Sequence, residues 1–150
     1  MALEIIPITK TNLNEALRLH IAPAQKGKVE TVAECWAEAQ KFSLWHPVIL
    51  RMDQVDIGFA MYGLWKNEGF DGRVWLDRFF IDQRYQGRGY AKTHLTILLQ
   101  HIRAFYGCKV IYLSVFRNNL PAISLYQKFG FSFTGELDLG GELVMIQESE

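Results

Sequence analysis

The sequence predicts an α/β domain with a mixed central sheet and helices on its faces. Short extended runs alternate with segments whose apolar residues recur every three or four positions. Glycine-, asparagine- and proline-containing turns punctuate them. No repeat, low-complexity tract or linker interrupts the alternation, so the 150 residues read as a single domain, 1–150, long enough to bury a core.

Leu3 to Ile8 is a short β-like run, and Thr11 is placed to cap a helix with the stripe Leu13, Ala16, Leu17 and His20. Ile21 to Lys28, with Pro23 and Gly27, breaks it. A second helix is expected over Glu30 to Phe42, carrying Val32, Ala33, Trp36, Ala37 and Ala39. Three extended runs follow, Pro47 to Met52, Ile57 to Trp65 and Val74 to Ile81, with turns at Asp53 to Asp56 and Asn67 to Gly72. Between Gly87 and Tyr106 the period becomes helical, with Ala91, Leu95, Leu98, Leu99 and Ile102 on one face. Val110 to Val115 is a buried strand. Asn118, Asn119 and Pro121 open a last helix that Gly130 ends. Phe131 to Leu139 and Glu142 to Gln147 form a hairpin across Gly140-Gly141. The order is β-α-α-β-β-β-α-β-α-β-β.

An apolar fraction of 49% and a charged fraction of 21% exclude disordered and fibrous classes. No apolar run has the length to span a bilayer, and the first residues lack a signal-peptide pattern. Cys35 and Cys108 have neither metal nor redox spacing and read as small core residues in a reducing compartment. A cytoplasmic protein is expected. The net charge of zero conceals a segregation: Gln83 to Gly135 holds seven basic residues and no acid, whereas the remainder holds nine basic and sixteen acidic residues. Such asymmetry suits partners of opposite sign, or is a chance distribution over a solvated surface.

At Phe79-Phe80-Ile81-Asp82-Gln83-Arg84-Tyr85-Gln86-Gly87-Arg88-Gly89-Tyr90-Ala91-Lys92 a strand runs through a glycine turn into a long helix. The first-turn N–H groups of such a helix lack internal partners and meet at its positive end, which makes an anion site. Arg84, Arg88 and Lys92 add charge, and the chemistry implied is pyrophosphate binding without a metal. Taken alone, G-x-G reads first as a tight strand-to-helix turn that needs glycine for its geometry. There is no G-x-G-x-x-G, since Lys92 stands three after Gly89, and no nucleotide-triphosphate loop.

A second segment, Asn118-Asn119-Leu120-Pro121-Ala122-Ile123-Ser124-Leu125-Tyr126-Gln127-Lys128-Phe129-Gly130-Phe131, follows the strand at 110–115. Together the two resemble the GNAT superfamily of N-acetyltransferases. Gln86, Gly89 and Ala91 match its Q/R-x-x-G-x-G/A loop, and Asn119, Ala122, Tyr126, Gly130 and Phe131 match its N-x-x-A-x-x-x-Y-x-x-x-G-F helix. Val74 to Ile81, then Tyr85-Gln86-Gly87, further resembles the spermine/spermidine acetyltransferases, although this chain has Arg78 where many of them carry a second acid.

The resemblance implies transfer of an acetyl group from acetyl-CoA to a primary amine of a small cationic substrate, with no metal. Neither nucleic acid nor membrane is implied as a partner, and a homodimer is a family analogy. It implies that main-chain groups of Phe79 and Ile81, with Phe80 between them, pair with the pantetheine arm as an added strand, and that the Ile81 N–H polarises the thioester. Gln86, Gly87, Arg88, Gly89, Tyr90, Ala91 and Lys92 would hold the pyrophosphate, and Asn119, Pro121 and Ala122 would line the thiol end. Tyr126 would donate to the departing sulfur; its reference pKa of about 10 lies roughly 1.5 units above a thiol's.

Simpler roles stand beside these. Asn119 is also an N-cap and Tyr126 an aromatic core residue; no residue announces itself as the base, and Asp77, which could act through a water chain, is also a partner for Arg78 or a neighbouring strand. His46 reads as a strand-start residue, and His94 and His101 as exposed or half-buried. Glu30 and Glu34, one helical turn apart, would attract ammonium groups together with Asp77, or are solvated helix charges. Acceptors other than polyamines (an aminoglycoside, an amino-acid derivative, a protein amino group) and a noncatalytic acetyl-CoA sensor are the competing readings.

Overall fold

The computed structural model describes residues 3–23 and 30–149. Its elements follow the expected order: β1 (Leu3–Pro7), α1 (Leu13–Ala16), α2 (Val32–Lys41), β2 (His46–Met52), β3 (Val55–Trp65), β4 (Arg73–Ile81), α3 (Tyr90–Tyr106), β5 (Val110–Val115), α4 (Leu120–Lys128), β6 (Ser132–Leu137) and β7 (Leu143–Glu148). The strands form one seven-stranded sheet in the order β1-β2-β3-β4-β5-β7-β6. Every neighbouring pair is antiparallel except β4 with β5.

Two apolar layers sandwich the sheet, and period-two alternation assigns residues to them. Val48 and Leu50 of β2, Ala60 and Tyr62 of β3, and Val74 and Leu76 of β4 face α3 and α4. Ile49, Phe59, Met61 and Trp75 face α1 and α2. The α3 stripe is buried as expected at Leu95, Leu98, Leu99 and Ile102. Cys35 lies in the α2 layer, where burial pushes its thiol up to about 12. Among the described residues, no helix is long and apolar enough to cross a membrane.

Several local expectations are corrected. α1 is a four-residue helix with Asn12, not Thr11, at its N-cap position. The Asn12 side chain turns back instead, accepting from the Thr9 N–H (2.8 Å) and donating to the Pro7 carbonyl (3.0 Å). The chain leaves the helix after Ala16, so Leu17 is exposed and Leu19 takes the buried place. On α2, Ala33 and Ala37 face solvent and Cys35 completes the stripe. The turn after β2 is only Asp53-Gln54, both at positive φ (50° and 71°), so β3 begins at Val55. The last hairpin is a three-residue loop rather than a Gly-Gly pair: Gly141 N–H donates to Asp138 C=O, and Asp138 N–H to Glu142 C=O. His94 is fully buried, its Nδ1 2.8 Å from the Tyr90 carbonyl, because it falls beside Leu95 on the inner face of α3. The break at Ile21 to Lys28 lies mostly outside the described residues.

Candidate active site

The site opens where β4 and β5 part. Their parallel ladder consists of the single pair Trp75 and Tyr112, while β4 keeps its pairing with β3 to the end. Within that pairing Met61 faces Arg78 and Tyr62 faces Leu76, so Asp77 is the extra residue of a β-bulge. The bulge reverses the parity of the strand. Leu76 and Phe79 therefore lie towards the α3–α4 layer, and Trp75 and Phe80 towards the α1–α2 layer. The main chain is reset as well. Asp82 N–H donates to Ile57 C=O at 2.8 Å, and alternation from that bond directs the polar groups of Phe80 and Arg78 towards β3. Those of Phe79 and Ile81 turn the other way, into the gap left by β5. The Ile81 carbonyl accepts from Gln86 Nε2 at 2.9 Å. Phe80 does not belong with Phe79 and Ile81: its main chain is engaged with β3, and its ring packs on Phe59 at 5.6 Å.

The loop after β4 is held by Asp82. This carboxylate is fully buried; it accepts from the His20 N–H (2.8 Å), the Arg84 N–H (2.9 Å) and Arg84 Nε (2.8 Å). Burial opposes its charge, but these hydrogen bonds prevail and keep its pKa below the usual carboxylate range. Arg84 is consequently neutralised by Asp82 instead of adding free positive charge. Gly87 and Gly89 sit at φ of 76° and 81°. A Cβ on either would meet no atom within 4 Å, so the backbone conformation demands glycine and the space in front is open. Gly89 occupies the N-cap of the 17-residue α3, which has no side-chain cap and no acid in its first turn. Arg88 and Lys92 are exposed beside it, whereas Tyr90 and Ala91 pack back onto the small cluster around Ile81. The pieces present fit a pyrophosphate and an extended arm: unopposed helix N–H groups, two cations, and a strand edge facing a gap.

Across the gap, α4 presents Tyr126. The helix ends in a Schellman motif, with Phe131 N–H bonded to Tyr126 C=O (3.0 Å) and Gly130 N–H to Gln127 C=O (3.0 Å), Gly130 at φ 88°. The same motif sets the Phe131 ring against that of Tyr126 at 5.7 Å. Tyr126 is 8% exposed, and burial raises its phenol well above the ordinary value. Asn119 occupies the N-cap position but makes no capping hydrogen bond; its buried side chain lines a cavity with Phe79, Ala122 and Tyr126. Pro121 lies outside that lining, exposed on the first turn of α4.

Carboxylates complete the cavity. Arg78 reaches Glu30 (2.5 Å), Asp77 (2.7 Å) and Glu38 (3.6 Å). Glu30 and Asp77 thus both line the cavity, and both are already paired with a cation. Burial pushes Asp77 up to about 7, Arg78 opposing the rise and Glu38 and Glu30 adding to it. Glu142, also at the cavity, is raised to about 7 by burial and by Asp138. Glu34 is absent from this group. It forms a capping box with Thr31, accepting from Thr31 N–H (3.1 Å) and Thr31 Oγ1 (2.9 Å), and Glu34 N–H donates to Thr31 Oγ1 (3.2 Å).

Sequence reasoning missed a second, wider groove of about 570 Å³, lined by Trp45, Trp65 and Trp75 and by Glu68, Glu136 and Asp138. Asp77 and Ser114 line both spaces and so join them. The signal available was three tryptophans near strand positions beside an acid-rich remainder, but nothing local indicated a shared face.

The chain matches the model of the acetyltransferase (GNAT) family over residues 13–131. It is 46% identical, over 151 aligned residues covering 99% of each chain, to a spermine/spermidine N(1)-acetyltransferase of Bacillus subtilis. In structure it is similar to the PaiA N-acetyltransferase of Thermoplasma acidophilum in complex with coenzyme A (TM-score 0.68, 20% identity, 99% and 100% of the two chains). It is likewise similar to an aminoglycoside acetyltransferase in complex with coenzyme A (TM-score 0.77, 19% identity, 98% and 95%). By sequence and by fold, this chain belongs to the GNAT family of acetyltransferases.

Proposed function

We propose that this N-acetyltransferase acetylates a primary amine of a short polyamine such as spermidine or spermine, in the cytoplasm and without a metal. The observation that carries the acceptor assignment is that Asp77 and Ser114 join the Tyr126 cavity to an acidic, tryptophan-lined groove. Carboxylates and indole faces are the two groups that hold alkylammonium ions. The 46% identity to a spermine/spermidine acetyltransferase supports the same reading.

Acetyl-CoA supplies the activated acetyl group. The main-chain amides from Gly87 into the first turn of α3, with Arg88 and Lys92, bind its pyrophosphate. The main-chain groups of Phe79, turned away from β3, are offered to the pantetheine arm, and the Ile81 N–H is the donor for the thioester oxygen, the Ile81 carbonyl being held by Gln86. Asn119 and Ala122 border the sulfur end. Asp77, at a pKa of about 7, is ionised over the upper half of the physiological range and takes the proton that an ammonium must lose before attack. Tyr126 enters the reaction protonated, because burial holds its pKa high. It acts by donating a hydrogen bond to the sulfur as negative charge gathers there; complete proton transfer to a thiolate would be uphill by more than the roughly 1.5 units separating the reference values.

Thiol release measured with spermidine, spermine, kanamycin and a lysine peptide tests the acceptor assignment. Polyamines are expected to give the highest kcat/KM; preference for kanamycin or the peptide would overturn it.

A further inference from the structure

Consecutive residues of a strand point to opposite faces of its sheet, so a carboxylate and a guanidinium in adjacent positions ordinarily do not meet. Asp77 and Arg78 do. Arg78 Nη1 lies 2.7 Å from Asp77 Oδ2 and donates to the Asp77 main-chain carbonyl, also at 2.7 Å. The bulge is what allows it. Trp75 and Phe80 lie on the α2 face of β4, and Leu76 and Phe79 on the other, so the alternation breaks once between them. The break leaves residues 77 and 78 on one face, where Arg78 also reaches Glu30 and Glu38.

Charge around the pair is unbalanced. Asp77 faces Glu30, just before α2, and Glu38 and Cys35 of α2. Glu142 of the last hairpin, Ser114 of β5 and Tyr126 of α4 complete the cavity that it lines. Four carboxyl groups therefore share one guanidinium. Burial, then Glu38 and Glu30, drive Asp77 towards its neutral form, and Arg78 opposes them. The contact nevertheless leaves room for a proton. Asp77 Oδ2 is buried and accepts no well-directed hydrogen bond from the described residues, so Arg78 acts on it mainly through charge.

We propose that Arg78, brought by the bulge onto the face of Asp77, keeps that carboxyl ionised at neutral pH and turned into the cavity. The inference rests on the reading of Asp77 as the base and adds the residue that lets it serve as one. Arg78 is a positioning residue: it acts through Asp77 and not on the reacting atoms.

The test follows two quantities in wild type, Arg78→Gln, Arg78→Lys and Glu38→Gln. One is the pH profile of kcat/KM for spermidine; the other is the titration of the Asp77 carboxyl by carbon NMR, its resonance assigned with Asp77→Asn. Loss of a contacting opposite charge raises a carboxyl by about 1–3 pH units. In Arg78→Gln the Asp77 midpoint and the kinetic limb should rise together by about that amount. At pH 7.5 its kcat/KM should then be about threefold or more below wild type, and the ratio should recover as pH rises. Ionisation of the amine itself cancels in that ratio. Arg78→Lys keeps the charge and should hold both quantities near wild type, whereas Glu38→Gln should lower both. A purely structural role would depress kcat/KM alike at every pH and leave the limb in place.

An Asp77 midpoint in Arg78→Gln that matches wild type overturns the inference. Should Arg78→Gln fail to fold, the same substitution is made in the Glu38→Gln background, which removes one of the acids left unpaired, and is compared with Glu38→Gln alone by the same criterion. Should the limb persist in Asp77→Asn, the reading of Asp77 as the base fails separately. The NMR titration then still decides whether Arg78 holds the carboxyl ionised.

Discussion

The two sides of the β4–β5 gap are built from different materials. The side proposed for the cofactor consists mostly of main chain: the Phe79 groups and the Ile81 N–H turned away from β3, two glycines at positive φ, and the first-turn N–H groups opening α3. The side proposed for the acceptor consists of side chains gathered from distant places. Trp45 precedes β2, Glu68 follows β3, Trp75 lies on β4, Ser114 on β5 and Asp138 in the last hairpin. A site made from backbone needs a short run of residues with the right conformations, so it leaves a compact signature. A site made from side chains of five separate segments leaves none until the chain folds. Tyr126 and Asp77 stand at the junction, where each side can be damaged without the other.

Tyr126→Phe is the sharpest way to break the comparison. The ring and its packing on Phe131 survive, and only the donor to sulfur is lost. We expect kcat to fall by about a hundredfold or more, the loss typical of one transition-state donor. Acetyl-CoA affinity measured by calorimetry should stay near wild type. An unchanged kcat would remove Tyr126 from the chemistry and leave it a core residue.

Asp77→Asn acts on the same junction from the acceptor side. Because the Asp77 carboxyl is raised to about 7, kcat/KM in the wild type should climb with pH through a limb near 7 as the base ionises. The variant should lose roughly a hundredfold in kcat/KM and lose that limb. Stability carries an independent sign. A carboxyl whose folded pKa exceeds its unfolded value of about 3.9 favours the folded state at low pH. That contribution disappears as pH rises from about 4 to 7. Asp77→Asn should therefore melt higher than wild type at pH 8, with the difference shrinking towards pH 4. A pH–rate limb that persists in the variant assigns the base elsewhere, with Glu142 the next group to test.

How far the sequence could be read follows the same division. The element order, the α3 stripe, the turn at Gly87–Gly89 and the helix from Asn119 to Gly130 were legible because each is coded within a few turns of chain. The bulge at Asp77 was not, since it exists only in the register between β3 and β4. Without the bulge, Phe79, Phe80 and Ile81 read alike in sequence, and only the register separates Phe80 from its neighbours. Arg78 was legible as a departure from the family pattern but not as the cation that Glu30, Glu38 and Asp77 surround. Charge segregation pointed to an acidic remainder without saying which acids were spent on internal partners.

Gly89→Glu probes the main-chain side alone. At φ 81° any side chain with a Cβ is strained, and a carboxylate there would also face the phosphates. Acetyl-CoA affinity should weaken about tenfold or more, with Gly89→Ala separating strain from charge. Spermidine binding to the free protein should be little altered by either. Equal cofactor affinity in all three proteins would displace the loop from pyrophosphate binding.

The smallest effect sharpens the comparison by subtraction. Glu34 follows Glu30 by four residues and looks equivalent in sequence, yet Glu30 precedes the N-cap Thr31 and the two have different fates. Glu30 turns to Arg78 at the cavity, whereas Glu34 closes the capping box on Thr31, whose main-chain and side-chain hydrogen bonds hold its pKa below the usual range. Glu34→Ala should therefore cost about 1 kcal/mol of stability, in the range of a lost cap, or about 2–4 °C in Tm for a domain of this size. Its depressed pKa adds a sign that can be checked: the stabilisation is present above the unfolded carboxyl value and fades as pH falls through the folded one, so the variant and wild type should converge in acid. The spermidine KM should not change. A rise in that KM without loss of stability would return Glu34 to the acceptor site and break the distinction between acids that hold the fold and acids that hold the substrate.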